Sequence, residues 1–310
     1  LIARVLQGVG AASSRVLTMS IVRDCYEGNP MARVMSLSFM VFLMVPILAP
    51  SIGQLILLVA AWQWVFSVLA LFGLAVLLWV TLRLPETLPA GARRPIEWRS
   101  LWQGLRSTVQ DAQSMGYTLA STVMLGALFG FINCAPQVFV DVFHVGRLFP
   151  LFFAGIAASV AAASLLNSRI VERLGTHRVA HGALIGFALL ACVHALVALA
   201  GAETLWTFAL LQAAMMFCFG LAVGNFGAMA MAGLGHVAGM ASSVQGFIST
   251  VLGAALGFLV GQQFDGSTVP LTIGYAVLGL LALAIVLATE RGLLFRNRTG
   301  HSDGRVAMAH

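Results

Sequence analysis

The sequence predicts an all-α polytopic membrane protein, and three observations carry that prediction. Hydrophobic residues occupy 60% of the 310 positions and charged residues only 9%, with a mean hydropathy of +0.95; no single water-soluble core can absorb that much apolar side chain. The apolar residues fall in unbroken runs of roughly 20, the length a helix needs to cross a hydrocarbon layer of about 30 Å. The 32 glycines suit helices that approach closely in lipid and would weaken helices in water. Lipid offers backbone groups no partners, so a spanning segment is a helix or part of a closed barrel. Runs of this length exclude barrel strands of about ten residues.

Nine spans are predicted, at about 1 to 22, 34 to 58, 62 to 83, 116 to 140, 147 to 168, 179 to 200, 204 to 232, 240 to 263 and 268 to 289. The first contains Arg4, whose helical face also carries Gly8, Ala11, Ala12 and Arg15. Gly8 with Ala12 and Gly10 with Ser14 form small-xxx-small pairs that admit a neighbouring helix beside the arginine. An arginine inside a span costs on the order of 2.5 to 3.5 kcal/mol on insertion scales, so it faces a cavity or partner, or snorkels to an interface. The second span holds VPILAPSIGQ, where Pro46 and Pro50 remove backbone donors and Gly53 permits close contact, which predicts a bend. The third runs apolar from Trp62 to Leu82 and ends at Arg83.

Residues 84 to 115 break the pattern, being polar and arginine-rich with Pro85, Pro89 and Pro95, and read as a linker between two membrane parts. The predicted organisation is therefore a three-span part at 1 to 83, the linker, a six-helix part at 116 to 289 and a tail at 290 to 310. Polar side chains within spans mark a possible substrate path: Asn133 and Gln137 beside Pro136, Asn167, Gln212, Asn225 and Gln245. Each needs a hydrogen-bond partner in lipid, which a neighbouring helix supplies as readily as a wet cavity. His181 and His194 stand near opposite ends of the sixth span, where the membrane interface is the expected location. No carboxylate falls near the middle of any span. Gly220, Gly224, Ala228 and Ala232, then Gly253, Gly257 and Gly261, form ladders that predict tight helix pairing.

All seventeen basic residues are arginines, and their distribution predicts orientation. If the first span ends inside, fourteen arginines lie in inner segments, only Arg147 lies outside, and Arg4 and Arg15 fall within a span. The tail is then cytoplasmic and the membrane an inner membrane. The charges at Arg23 and Asp24, and at Arg169, Glu172 and Arg173 around Gly175, could hold helix ends together in one conformation and release them in another, or could simply anchor to the membrane surface. The net charge of +6 is accounted for by these arginines, so no nucleic-acid partner is expected. The four cysteines are widely spaced, so no metal site or disulfide framework is expected. There is no phosphate loop or nucleophile constellation, so neither a cofactor, a catalytic residue nor an enzyme activity is predicted.

RVLQGVGAA at 4 to 12 resembles the R-x-x-Q-G-x-G-A-A motif in the fourth helix of drug:proton antiporters of the major facilitator superfamily, and IVRD follows at 21 to 24. WQWVFSVLALFGLAVLLWVTLRLPETL at 62 to 88, NSRIVERLG at 167 to 175 and GHVAGMASSVQGF at 235 to 247 resemble signatures of that family's Bcr/CflA branch. The resemblance implies a twelve-helix, alternating-access fold represented here by helices four to twelve, and export of hydrophobic small-molecule antibiotics in exchange for protons across the bilayer. It implies that Arg4 and Gln7 serve proton coupling, with Gly8 and Gly10 packing around them. It also implies that Asp24 belongs to a cytoplasmic charge network. The family's G-P-x-x-G-G pattern is kept only at Pro50 and Gly53, with Ala49 and Gln54 in place of its glycines. The family's membrane-embedded acid belongs to helices not represented in these residues. A metabolite carrier on the same scaffold, and a non-transporting remnant or assembly subunit, are the alternative readings.

Overall fold

The computed structural model describes residues 3, 5–8, 10–11, 18, 21, 49, 52–53, 55–85, 98–234 and 237–295. Among the described residues every regular element is helical, and seven helices are long and apolar enough to cross a membrane. The spans expected at about 1 to 22 and 34 to 58 lie largely outside the described residues. The chain divides into two compact units, residues 1–97 and 98–310.

In the first unit, the described residues up to position 59 are helical, with a break at Ala60 before α1 (Gln63–Arg83). No residue of α1 is buried, and its apolar side chains point in every direction. A helix apolar all round is a membrane helix, with no solvent face to distinguish.

The second unit begins with a helix where a polar linker was expected: α2 (Trp98–Gln110). The reason is amphipathicity, and the three prolines of the predicted linker all precede Trp98. Gly104 and Thr108, one turn apart, are buried, whereas Trp98, Trp102 and Val109 are exposed. A Cβ on Gly104 would come 2.9 Å from Met240 Cγ, so the glycine lets α2 lie close against the start of a later helix.

Six long helices follow: α3 (Ala112–Gln137), α4 (Phe149–Leu174), α5 (Thr176–Leu199), α6 (Leu205–Met231), α7 (Ala238–Gly261) and α8 (Val269–Thr289). Their ends obey local chemistry. Asp111 caps α3 by accepting the Ser114 amide at 2.6 Å. Thr204 and Thr207 cap α6 reciprocally, and prolines stand in the first turns of α4 and α8. Gly175, the single residue between α4 and α5, has φ of 81°, a conformation that favours glycine. Pro136 does not end its helix; the chain continues as a π turn, Val138–Val142, before turning into α4.

α3 is central, packing on α6, α7 and α8, while α5 packs on α6 and α8, and α4 on α6. The core is aromatic and methionine-rich, with Phe131, Phe139, Phe187, Phe208, Met215 and Met216 buried. The α7 ladder pairs with α3: a Cβ on Gly257 would lie 2.4 Å from Phe129 Cβ, and Cβ atoms on Gly253 and Gly261 would lie 3.3 and 3.2 Å from Leu125 and Asn133. Gly126 and Gly130 on α3 receive Leu256 and Val260 in return. The α6 ladder is partial. Gly220 receives Ala163 and Val160 of α4, but a Cβ on Gly224 would meet open space.

Candidate functional site

The six helices alternate in direction, so the unit has two ends. One carries the starts of α3, α5 and α7 with Arg169, Arg173, Arg178 and Arg291; the other carries the loops at 143–148, 200–204 and 262–268. The polar residues expected along a substrate path divide into three kinds. Asn225, buried, donates from Nδ2 to Asn167 Oδ1 at 2.7 Å and to the Leu221 carbonyl at 2.8 Å, clamping α6 to α4. Gln245 donates from Nε2 to Ser114 Oγ at 2.9 Å and to the Ala230 carbonyl at 3.0 Å, joining α7 to α3 and α6. Both are interhelical ties. Asn133 and Gln137 are exposed at the far end of α3.

Gln212 is different. It is fully buried in α6 with neither side-chain polar atom hydrogen-bonded, and it faces the equally buried, unbonded hydroxyl of Tyr275 in α8. Next to this pair the His194 ring lies 6.3 Å from that of Tyr275, centroid to centroid. His194 Nε2 meets Glu203 Oε1 at 2.7 Å, and the second oxygen of Glu203 accepts from Thr268 Oγ1. A carboxylate that binds two buried partners ties the end of α5 to the start of α8. Nearby but exposed, Asp265 accepts from the Ser267 hydroxyl and amide, which hold its carboxyl below its ordinary range.

At the opposite end a second buried cluster stands. Tyr117 Oη donates to Glu290 Oε1 at 2.6 Å and lies 3.1 Å from His181 Nε2, while His181 Nδ1 accepts the Phe295 amide at 3.0 Å. His177, one turn earlier on α5, is buried beside them. His181 and His194 stand near opposite ends of α5, as expected from the sequence, and both are buried against neighbouring helices, 1% and 0% exposed, each within hydrogen-bond reach of acid or phenol. Sequence reasoning missed Tyr117, Glu203, Thr268, Tyr275 and Glu290. The acids lie just beyond the apolar runs, and the sequence signal exists for Glu203 alone, which follows His194 by nine residues.

Of the remaining predicted residues, Arg4, Arg23, Asp24 and Pro50 lie outside the described residues. Gln7 is helical and exposed. A Cβ added to Gly8, Gly10 or Gly53 meets no heavy atom within 4 Å among the described residues. Arg169, Glu172 and Arg173 are exposed on the last turns of α4, just before the Gly175 turn. Among the described residues no group of three or more His, Cys, Asp or Glu side chains could hold a metal ion.

A lipid-length bundle with polar pairs inside fits many membrane proteins, and comparison with known proteins identifies which kind this is. An uncharacterized MFS-type transporter, YdgK of Bacillus subtilis strain 168, is 28% identical over 296 residues, spanning 90% of this chain and 71% of its own. The bicyclomycin resistance protein homolog of Haemophilus influenzae is also 28% identical over 296 residues, spanning 94% of this chain and 74% of its own. The multidrug resistance protein MdtL of Salmonella heidelberg is 28% identical over 287 residues, spanning 92% and 70%. Residues 1–261 match the family model described as Major Facilitator Superfamily, and the chain belongs to that superfamily of membrane transporters, which are not enzymes.

Proposed function

We propose that this chain exports hydrophobic drugs across an inner membrane in exchange for protons, by alternating access. The observation that carries the reading is the R-x-x-Q-G-x-G-A-A match at residues 4 to 12 in a chain whose long-range relatives include proteins named for bicyclomycin and multidrug resistance. In this reading nine spans cross the bilayer, three at 1 to 83 and six at 116 to 289, joined by the 84 to 115 connection. The arginine-rich end and the tail at 290 to 310 face the cytoplasm, because positive charge is retained on that side.

Arg4 and Gln7 serve proton coupling, Gly8, Gly10, Pro50 and Gly53 let helices close around them, and Arg23, Asp24, Arg169, Glu172 and Arg173 form the cytoplasmic gate. Among the path residues, Gln212 has the strongest support for contacting substrate, since its polar atoms are buried without partners. Asn133 and Gln137 stand at the outer mouth, while Asn225 and Gln245 shape the path through the helices they tie.

The test is drug-induced proton movement in sealed vesicles containing the purified chain and a pH-sensitive dye. Bicyclomycin should move protons through the unaltered protein, and Arg4→Ala should abolish that movement while the protein remains folded. Absence of drug-linked proton movement in the unaltered chain would overturn the reading; full movement in Arg4→Ala would overturn the role of Arg4.

A further inference from the structure

The hydrogen bonds around His181 fix its tautomer. The Phe295 amide, which only donates, points at Nδ1, so Nδ1 carries a lone pair and the neutral ring holds its proton at Nε2. Nε2–H then donates to Tyr117 Oη, whose own proton goes to Glu290 Oε1. One directional chain joins α5, α3, the end of α8 and the turn that follows it. Tyr117, His181 and Glu290 are 0%, 1% and 3% exposed. His177 has both ring nitrogens buried and without partners, its centroid 5.8 Å from that of His181 and 6.5 Å from that of Tyr117.

We propose that Tyr117, His177, His181 and Glu290 form a proton-binding site whose occupancy controls docking of the turn at 291–295. With the turn docked, the chain of hydrogen bonds encloses one carboxylate charge. Binding one proton at His181 brings the enclosed charge to zero, through an imidazolium compensated by Glu290. That proton has one place to go, Nδ1, and the Phe295 N–H already occupies it. Two donors cannot face each other across 3.0 Å, so a protonated His181 and a docked turn exclude one another.

Among the described residues the titratable groups facing His181 are Tyr117 from α3, His177 from its own helix and Glu290 at the end of α8, while the apolar ring of Phe226 from α6 packs on Tyr117. The turn is suited to release. Arg291 and Phe295 have φ of 51° and 68°, a left-handed conformation that costs a side-chain-bearing residue free energy. Leu293 and Phe295 are largely exposed. Arg291, Gly292 and Leu293 are tied to the end of α8 by their own backbone hydrogen bonds, and what docks the rest of the turn is the Phe295 amide bond, the edge of its ring on His181 at 5.8 Å and the packing of Leu294 on the core.

The inference goes beyond drug export, and no substrate enters its test. Hydrogen exchange read by mass spectrometry on the full chain in nanodiscs, corrected for intrinsic amide chemistry, follows protection of the Phe295 amide from pH 8 to 5.5. Protection should fall about tenfold as His181 titrates, and protection that stays flat overturns the proposal. His181→Asn keeps an acceptor for the Phe295 amide but does not titrate, so its protection should not vary with pH; the same fall as in the unaltered chain overturns the proposal. Should that variant fail to fold, Glu290→Gln keeps the Tyr117 bond and removes the charge. It should move the midpoint down, and an unmoved midpoint overturns the proposal.

Discussion

Asn225 shows how a polar side chain in a lipid-length helix acquires its role from its neighbour. Its amide could have lined a cavity, but Asn167 Oδ1 at 2.7 Å makes it a bridge between α4 and α6. The pair should show a coupling of about 0.6 to 1.7 kcal/mol in a double-mutant cycle of Asn167→Ala and Asn225→Ala, followed by thermal unfolding in detergent. Independent, additive effects would mean that the bridge contributes nothing. The spans at 147 to 168 and 204 to 232 and the polarity of both residues were legible in the sequence. Their meeting was not, because residues 58 positions apart face each other only once α4 and α6 are packed. The same holds for Gln245 and Ser114, and for Glu203, whose partner His194 was visible in the sequence while their pairing was not.

At the scale of the element, glycine spacing was an accurate guide on α7 and a partial one on α6. Gly257 approaches Phe129 and the backbone of Gly130 so closely that a methyl group must push α3 and α7 apart. Gly257→Ala should therefore destabilise the second unit by about 1 to 3 kcal/mol. Gly224→Ala, placed on the partial ladder where a Cβ meets open space, should be neutral or stabilise by up to about 1 kcal/mol through helix propensity. Thermal unfolding of the two variants side by side checks both, and equal losses would deny the close α3/α7 approach its importance. The α2 helix carries the opposite lesson. It lies within the segment read as a linker, after that segment's three prolines, and Gly104 and Thr108 on one face with Trp98 and Trp102 on another make a helix lying against α7.

For the whole molecule, the strongest sequence signal is the placement of arginine. Seventeen arginines and no lysine, with the loops at 200–204 and 262–268 free of them, predict that trypsin reaches Arg169, Arg173, Arg178 and Arg291 only from the cytoplasmic side. Inverted vesicles should yield cleavage at these positions and right-side-out vesicles should not; the reverse pattern would invert the proposed topology. A second molecular feature joins the two buried acid–imidazole clusters. His181 and His194 are 13 residues apart on α5, about 20 Å by helical rise. Between them the core is Phe187, Leu184, Leu278 and Ala282, so the two clusters act at opposite ends of the unit with apolar packing between.

What the sequence determined by itself is the class and the order of the molecule: apolar run length demands spanning helices, small-residue spacing demands close pairing, and ordered motifs indicate the family. These are properties of single segments and their solvent. Only the tertiary structure decided which polar groups are ties, which remain unpartnered and which acids are buried. That depends on pairings across helices, such as Tyr117 with Glu290, 173 residues away. An apolar run records that a helix is buried in lipid; it does not record what the next helix presents to it, and hydrogen-bond chemistry is settled at that contact.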